Sequence, residues 1–378
     1  MKPSRVIGAA AFLAASWTWC IGMFLPVLLI GDFGVWGWVA FAVPNVIGAA
    51  AVGLIHSPES AGRVTRDHAG ALRLFSAVTI AFHLFFLGRI VPVMGVPDAG
   101  LGPIVQSAGV IALAIVAALG LSRLRGAGAW SIAAGVAVAL SILAMLLMMR
   151  MSDGRALTAP PISGASPARE ALWIAPALAL GFLCCPHLDA TLLRTRRQTP
   201  GRDGSAAFII GFCVFFLGLI TLSMLYARGF LPDGVLNYWV GLHFFAQSVF
   251  TMAVHRRELR AQADTADERS RWLTLGLIVI GAALGLLWPI ADFRLGYDLF
   301  LFLYAVPFPA YVWIVMVPRR ASRGRETAAW LTATLVATPI FAVGYLAPIW
   351  PMVALAAGVI LVAPIVESRL GGGVEATA

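Results

Sequence analysis

The chain has 378 residues, 60% of them apolar and only 12% charged, with a mean hydropathy of +0.88, where a soluble domain carries about 25% charge. This excludes a soluble enzyme and a disordered chain; a disulfide framework is excluded too, because Cys20, Cys184, Cys185 and Cys213 all fall in apolar stretches. A net charge of +9 would point to nucleic acid in a soluble protein, but in a membrane protein it is tested first as a topology signal.

A membrane-crossing helix needs about 20 mostly apolar residues. Twelve such runs follow one another, at residues 6–30, 35–55, 72–93, 101–121, 129–149, 171–193, 206–227, 235–254, 272–291, 297–317, 327–346 and 348–366. The first follows Lys2 and Arg5 but is too long for a signal-peptide core, so it reads as a retained helix. With the N-terminus placed in the cytoplasm, the inner connections hold twenty-one basic residues and the outer ones five. That asymmetry puts both termini in the cytoplasm of an inner-membrane protein and assigns most of the positive charge to topology. No connection is long enough to be a domain, so any chemistry lies inside the bundle. A transporter, a channel, an intramembrane enzyme and a cofactor-bearing sensor remain.

Within the first span, Pro26 leaves the Gly22 carbonyl without its helical donor, in a stretch that also holds Trp17, Trp19 and Cys20. In the third span, His83 reads as a packing group, and Arg89, near the outer end, is expected to snorkel to water. In the sixth, Pro186 releases the Phe182 carbonyl, and His187 and Asp189 follow. Residues two apart do not share a helix face, so these two converge only where the backbone is unwound. They read either as ligands for substrate, proton or cation, or as a carbonyl-bonded His and an Asp paired with Arg194.

In the eighth span His243, Gln247 and Thr251 recur every four residues with Ser248 beside them. Such a polar stripe faces the interior, where it lines a pathway or bonds helices together. Tyr304, before Pro307 and Pro309, marks a further irregular turn or a packing position. The breaks in the first and sixth spans lie five helices apart and run in opposite directions, the pattern of a five-helix unit repeated with inverted topology. The repeats are residues 6–150 and 169–317, with two additional helices at 327–366. Cys184, Cys185, His187 and Cys20 invite a soft-metal site, against which free Cys is an ordinary small core residue. Six His allow a haem- or copper-bearing sensor, although no Cys-x-x-Cys-His run is present. No Walker loop, Gly-x-Ser-x-Gly or His-Glu-x-x-His element supports an enzyme.

Residues 15–26 (Ala-Ser-Trp-Thr-Trp-Cys-Ile-Gly-Met-Phe-Leu-Pro), 31–38 and 43–53 resemble the first two core helices of the sodium:solute symporter family. Residues 180–197, which run through Cys-Cys-Pro-His-Leu-Asp to a basic turn, resemble its sixth core helix. The resemblance covers about a quarter of the chain. It implies an all-α membrane protein with the LeuT-type fold and alternating access around a site between the first and sixth helices. It also implies a hydroxyl pair for sodium on the eighth core helix, where aligning the acidic end to Glu258 places Met252 and Ala253. The coupling ion is therefore left as Na+ or H+.

The expectation is a secondary transporter of a small solute in the lipid bilayer, with no nucleic-acid partner and no cofactor beyond the coupling ion. Its substrate residues are expected to be Trp17, Trp19, Gly22, Met23, Phe182, Cys185, His187, Asp189, His243 and Gln247, with Cys20, Ser248 and Thr251 for a cation. A haem- or copper-binding sensor, or a non-transporting sensory or assembly member of the same family, is the alternative.

Overall fold

The computed structural model describes residues 3–94, 102–151, 161–230, 237–263, 266–317 and 323–371. The expected starts of the fourth span at Leu101 and the eighth at Val235 lie outside the described residues. All regular structure among those described is helical. Ten helices are long and apolar enough to cross a membrane, and a bent pair makes an eleventh.

That pair is α1 (Pro3–Trp17) and α2 (Cys20–Phe33), which meet at 59°. Gly34, at φ 66°, then turns the chain back into α3 (Val35–Ile55). A short amphipathic helix, α4 (Pro58–Asp67), precedes α5 (Ala69–Val93), the most deeply buried crossing helix. α6 (Pro103–Leu121) and α7 (Ala127–Met151) complete the first half.

The sixth span is α8 (Ala171–Cys184), a 3-10 turn at Cys185–Leu188, and α9 (Ala190–Gln198). The seventh holds α10 (Gly201–Ile210), a π-helical stretch at Gly211–Phe216, α11 (Leu217–Thr221) and α12 (Ser223–Tyr226). The eighth is α13 (Trp239–Ala261). Its 23 residues suffice to cross, but its polar side chains lower its hydropathy below that of the ten. α14 (Glu268–Leu287), α15 (Phe293–Ala305), α16 (Pro307–Tyr311), α17 (Arg323–Leu346) and α18 (Trp350–Gly371) follow. Val306, between α15 and α16, leaves helical geometry just before Pro307, which is the irregular turn, one of the two readings that the sequence leaves open there.

The first span breaks earlier than its proline suggests. Pro26 sits inside α2, whereas the helix opens at Thr18 and Trp19, and Trp19 is extended at φ −79°, ψ 175°. Backbone competition explains the position: Trp19 N–H turns back to the Trp17 carbonyl, and the Thr18 hydroxyl doubles up on the Ala14 carbonyl. The sixth span breaks where expected, because Pro186 favours a tight turn and Asp189, extended at φ −81°, ψ 106°, caps α9. α3 lies against α8 so closely that a Cβ at Gly48 would run into the Phe182 carbonyl. This packing fixes span two as the partner of the broken span six.

Arg89 corrects an expectation. It is 3% exposed rather than reaching water. Its guanidinium donates to the carbonyls of Gly285 (2.7 Å), Leu286 (3.1 Å) and Trp288 (2.7 Å), and to Ser107 Oγ (2.7 Å). The end of α14 leaves those carbonyls without helical donors, and a cation inside the bundle satisfies them more cheaply than lipid could.

Candidate functional site

The broken halves of spans one and six face a common cavity with about 60 Å³ of free space. Trp17, Trp19 and Gly22 line it from the first span, Gly181, Phe182 and Cys185 from the sixth, and Asn45 from α3. Tyr304 closes it from α15 and Tyr345 from α17. Its polar groups are held in place. Trp17 Nε1 donates to Asn45 Oδ1 at 2.8 Å, Trp19 Nε1 to the Ser16 carbonyl at 2.7 Å, and Cys185 Sγ to the Tyr304 carbonyl at 3.4 Å. The two indoles lie 4.4 Å apart by ring centroid, and Trp19 is boxed further by Phe75, His255 and Tyr304. The result is a small, largely apolar chamber with one aromatic wall.

Of the residues expected at a substrate site, Trp17, Trp19, Gly22, Phe182 and Cys185 therefore meet around one cavity, and Asn45 joins them. Met23 points its carbonyl to Tyr226 Oη, which donates at 2.6 Å. The Cys20 carbonyl accepts from Tyr297 Oη at 3.1 Å, and its amide donates to His83 Nε2 at 3.2 Å.

On α13 the stripe faces away from the cavity. His243 Nδ1 lies 2.9 Å from Ser141 Oγ on α7, and Gln247 Nε2 donates to the same oxygen at 2.9 Å. Ser141 gives its own proton to the Ala137 carbonyl, so both contacts are donations to it, and His243 keeps an unprotonated, buried and unpartnered Nε2. Ser248 Oγ and Thr251 Oγ1 are also fully buried without partners. Met252 and Ala253 are buried and apolar.

A wider, polar vestibule of about 810 Å³ lies toward the arginine-rich face of the bundle. His56, Ser60, Arg63, His68, His187, Tyr311 and Glu326 contribute to its wall. Cys185 belongs to the cavity and His187 to the vestibule, so the two spaces are separated at this point by little more than the 3-10 turn. Just beyond, Asp189 is fully buried; its Oδ1 accepts from Thr191 N–H at 2.6 Å, while Oδ2 and Thr191 Oγ1 have no partner. Arg194 is not its counter-ion. That guanidinium pairs with Glu258 at 2.7 Å, and Arg257, 2.8 Å from the same carboxylate, stacks over Phe12 and Trp130.

At the opposite end, Asp32 at the foot of α2 holds Arg294 through two contacts of 2.6 and 3.2 Å, and Asp298 stands 3.6 Å from the same guanidinium. Phe33 packs on Trp350 beside them at 4.8 Å. Side chains from spans one, ten and twelve meet at this end.

No family model and no curated protein matches the chain. Among solved structures, a substrate-bound, outward-open Na+-coupled sialic acid symporter matches over 97% of this chain and 90% of that one, at 13% identity and a TM-score of 0.52. The chain shares that protein's fold. At this identity the likeness carries the arrangement of helices and nothing about ligands. Asn45 and Tyr345 are polar members of the cavity wall that the sequence did not single out, whereas His83, read as a packing group, does bond within the bundle. A polar side chain one residue after Pro44 was the available signal for Asn45.

Proposed function

We propose that the protein is a secondary transporter related to the sodium:solute symporters, moving a small solute across a membrane by alternating access. The observation that carries this reading is the placement of a small, largely apolar cavity and a larger, more polar vestibule on either side of the break in span six, with the break in span one forming the facing wall. Irregular backbone inside a membrane bundle is tolerated where it lines a cavity, and half-helix ends there offer partial charges to a solute and an ion. Residues 6–150 and 169–317 act as the two inverted units and 327–366 as an appendix.

On this reading the arginine-rich face, both termini and the vestibule lie on the cytoplasmic side of an inner membrane, which the asymmetry of basic residues favours. The conformation described is then shut outward by Asp32, Arg294 and Asp298, and opens toward the cytoplasm. The solute contacts Trp17, Trp19, Phe182 and Asn45. Asp189, buried with one oxygen unpartnered, takes up a proton or faces a cation, because a bare carboxylate oxygen in such surroundings is costly otherwise. Ser248 and Thr251 offer unpartnered oxygens for the same purpose.

Uptake into proteoliposomes under separate Na+ and H+ gradients tests the reading, with sialic acid as the first solute and a panel of sugars, amino acids and carboxylates after it. Gradient-driven uptake of any of them supports it. A second reading, a sensory or assembly subunit that binds without transporting, is favoured by the small cavity and by Met252 and Ala253; saturable solute binding with no uptake under either gradient would select it.

A further inference from the structure

Outside the cavity, two imidazoles meet at the vestibule wall. His56, which ends α3, places its Nε2 2.8 Å from Nδ1 of His187 in the 3-10 turn, with ring centroids 5.0 Å apart and planes at 64°. Ser60 determines which nitrogen carries which proton. Its hydroxyl donates to the Ser57 carbonyl at 3.1 Å and accepts from the Ser57 amide at 2.9 Å. It has one proton, so toward His56 Nδ1, 3.3 Å away, it is an acceptor. His56 therefore carries its proton on Nδ1, its Nε2 is a lone pair, and His187 Nδ1–H donates to that lone pair. A hydroxyl that orients a ring through the nitrogen opposite the coordinating one is the arrangement that prepares histidine for metal.

We propose that His56 Nε2 and His187 Nδ1 form a binding site for a divalent transition cation of the zinc class, completed by vestibule water. Imidazole suits such ions. Tetrahedral Zn–N bonds of about 2.0–2.1 Å set two ligand nitrogens roughly 3.4 Å apart, so the nitrogens need to part by about half an ångström from their present contact and both rings to tilt off the line between them, by roughly 35° each, to aim at one metal. His56 is already in the ligating tautomer. His187 moves its proton from Nδ1 to Nε2 through vestibule water, so both rings bind neutral and the neutral pair releases no proton. Among the described residues no three His, Cys, Asp or Glu converge on a metal position, so the site has two protein ligands and binds reversibly. Bound metal ties the end of span two to the turn that separates cavity from vestibule, and holds that turn in its present shape.

The test is calorimetric titration of Zn2+ into the purified full chain in detergent, in a Cys213→Ser background because Cys213 is an exposed thiol. The expected result is one Zn2+ per chain, weakened about tenfold or more by His56→Gln or His187→Asn and about tenfold by Ser60→Ala. His68→Ala, in the same vestibule but bonded to Tyr311 Oη, leaves the affinity unchanged. Co2+ gives a visible ligand-field band that both histidine variants lose. Size-exclusion profiles matching the parent show that the variants are folded, and the amide replacements preserve ring-like bulk and polarity to that end. Absence of saturable Zn2+ binding in the parent overturns the proposal, as does parental affinity in both histidine variants, or loss of binding on His68→Ala alone.

Discussion

The amide of Cys20 donates to Nε2 of His83 at 3.2 Å, and Nδ1 of the same ring faces the Thr79 carbonyl at 2.7 Å. One ring thus joins the start of the second half-helix of span one to span three, and its tautomer is fixed, because the amide can only donate and the carbonyl can only accept. The first residue of a helix has no intrahelical acceptor for its N–H. Inside a bundle no water replaces one.

Replacing His83 by Leu should therefore lower stability by about 1–3 kcal/mol, the cost of leaving a buried donor unsatisfied. His83→Gln, which can still accept from Cys20, should recover part of that loss. Thermal unfolding in detergent measures both, and equal melting temperatures for Leu and Gln would show that the contact contributes nothing.

Arg89 is satisfied wholly by backbone carbonyls and Ser107. Each hydrogen bond from a charged donor is worth about 1.5–3 kcal/mol, and removing the donor strands several carbonyls at the end of α14 at once. Arg89→Ala should fail to yield a monodisperse protein. Arg89→Lys keeps the charge but lacks the planar fork that reaches Gly285, Trp288 and Ser107 together, so it should be soluble yet melt well below the parent. A lysine variant as stable as the parent would mean that charge alone, without geometry, meets the need.

The composition was enough to read an all-helical membrane bundle and the break in the sixth span, because membrane solvation enforces long apolar runs and punishes irregular backbone; of the twelve runs read, ten helices and one bent pair among the described residues are long and apolar enough to cross. The site was less legible. Trp17, Trp19 and Phe182 stood out as aromatics beside breaks, but Asn45 acquires its place only from α3 lying against α8 at Gly48, a tertiary contact with no local signature. The α13 stripe was visible as polar and interior, yet its direction toward Ser141 depends on how α13 is rotated between α5 and α7. Periodicity fixes which residues share a face and not what that face meets. Pro26 misled for a related reason: a proline in a helix frees a carbonyl, whereas the chain opened where Trp19 N–H and the Thr18 hydroxyl had other acceptors.

Asp189 offers a separation of structure from coupling. Its Oδ1 caps α9 through Thr191 N–H, a role that Asn performs about as well as Asp, whereas Ala costs roughly 1 kcal/mol. Asp189→Asn should therefore leave the melting temperature near that of the parent while abolishing gradient-driven uptake, because an amide neither carries a proton nor neutralises a cation. Solute exchange without a gradient should survive. Full gradient-driven uptake in Asp189→Asn would remove this residue from the coupling mechanism.

Arg294 is held between Asp32 and Asp298, so its loss does more than delete an ion pair; it leaves two carboxylates facing each other where spans one and ten meet. Arg294→Gln should shift the protein toward a state open on that face. Asp32→Asn should do so less, since Arg294 still has Asp298. The pair is partly exposed, with Arg294 at 46% and Asp32 at 16%, so the contribution is about 1 kcal/mol or less. A cysteine placed at Leu29 in the cavity, in a background with Cys185→Ala and Cys213→Ser, reports the change. Labelling by a membrane-impermeant maleimide from the outer side should rise up to about fivefold in Arg294→Gln, and unchanged labelling would show that this cluster is no gate.

Among the described residues, the Trp17 indole and Asn45 form the one side-chain-to-side-chain polar contact between spans one and two inside the cavity, and it can be isolated by a double-mutant cycle. Trp17→Phe deletes the donor while keeping an aromatic wall, and Asn45→Ala deletes the acceptor. If the 2.8 Å hydrogen bond holds the indole in place, each single change should destabilise, and the pair should cost less than their sum by about 1 kcal/mol, the net value of a buried neutral hydrogen bond. The same cycle read on solute affinity separates two roles for Asn45. A residue that only positions Trp17 shows no further loss of affinity once Trp17→Phe is present. A residue that itself contacts the solute shows a loss in both backgrounds. Strict additivity of the stabilities would mean that the two side chains lie close without supporting one another, and the chamber would then owe its shape to the packing of the aromatic rings around Trp17 and Trp19.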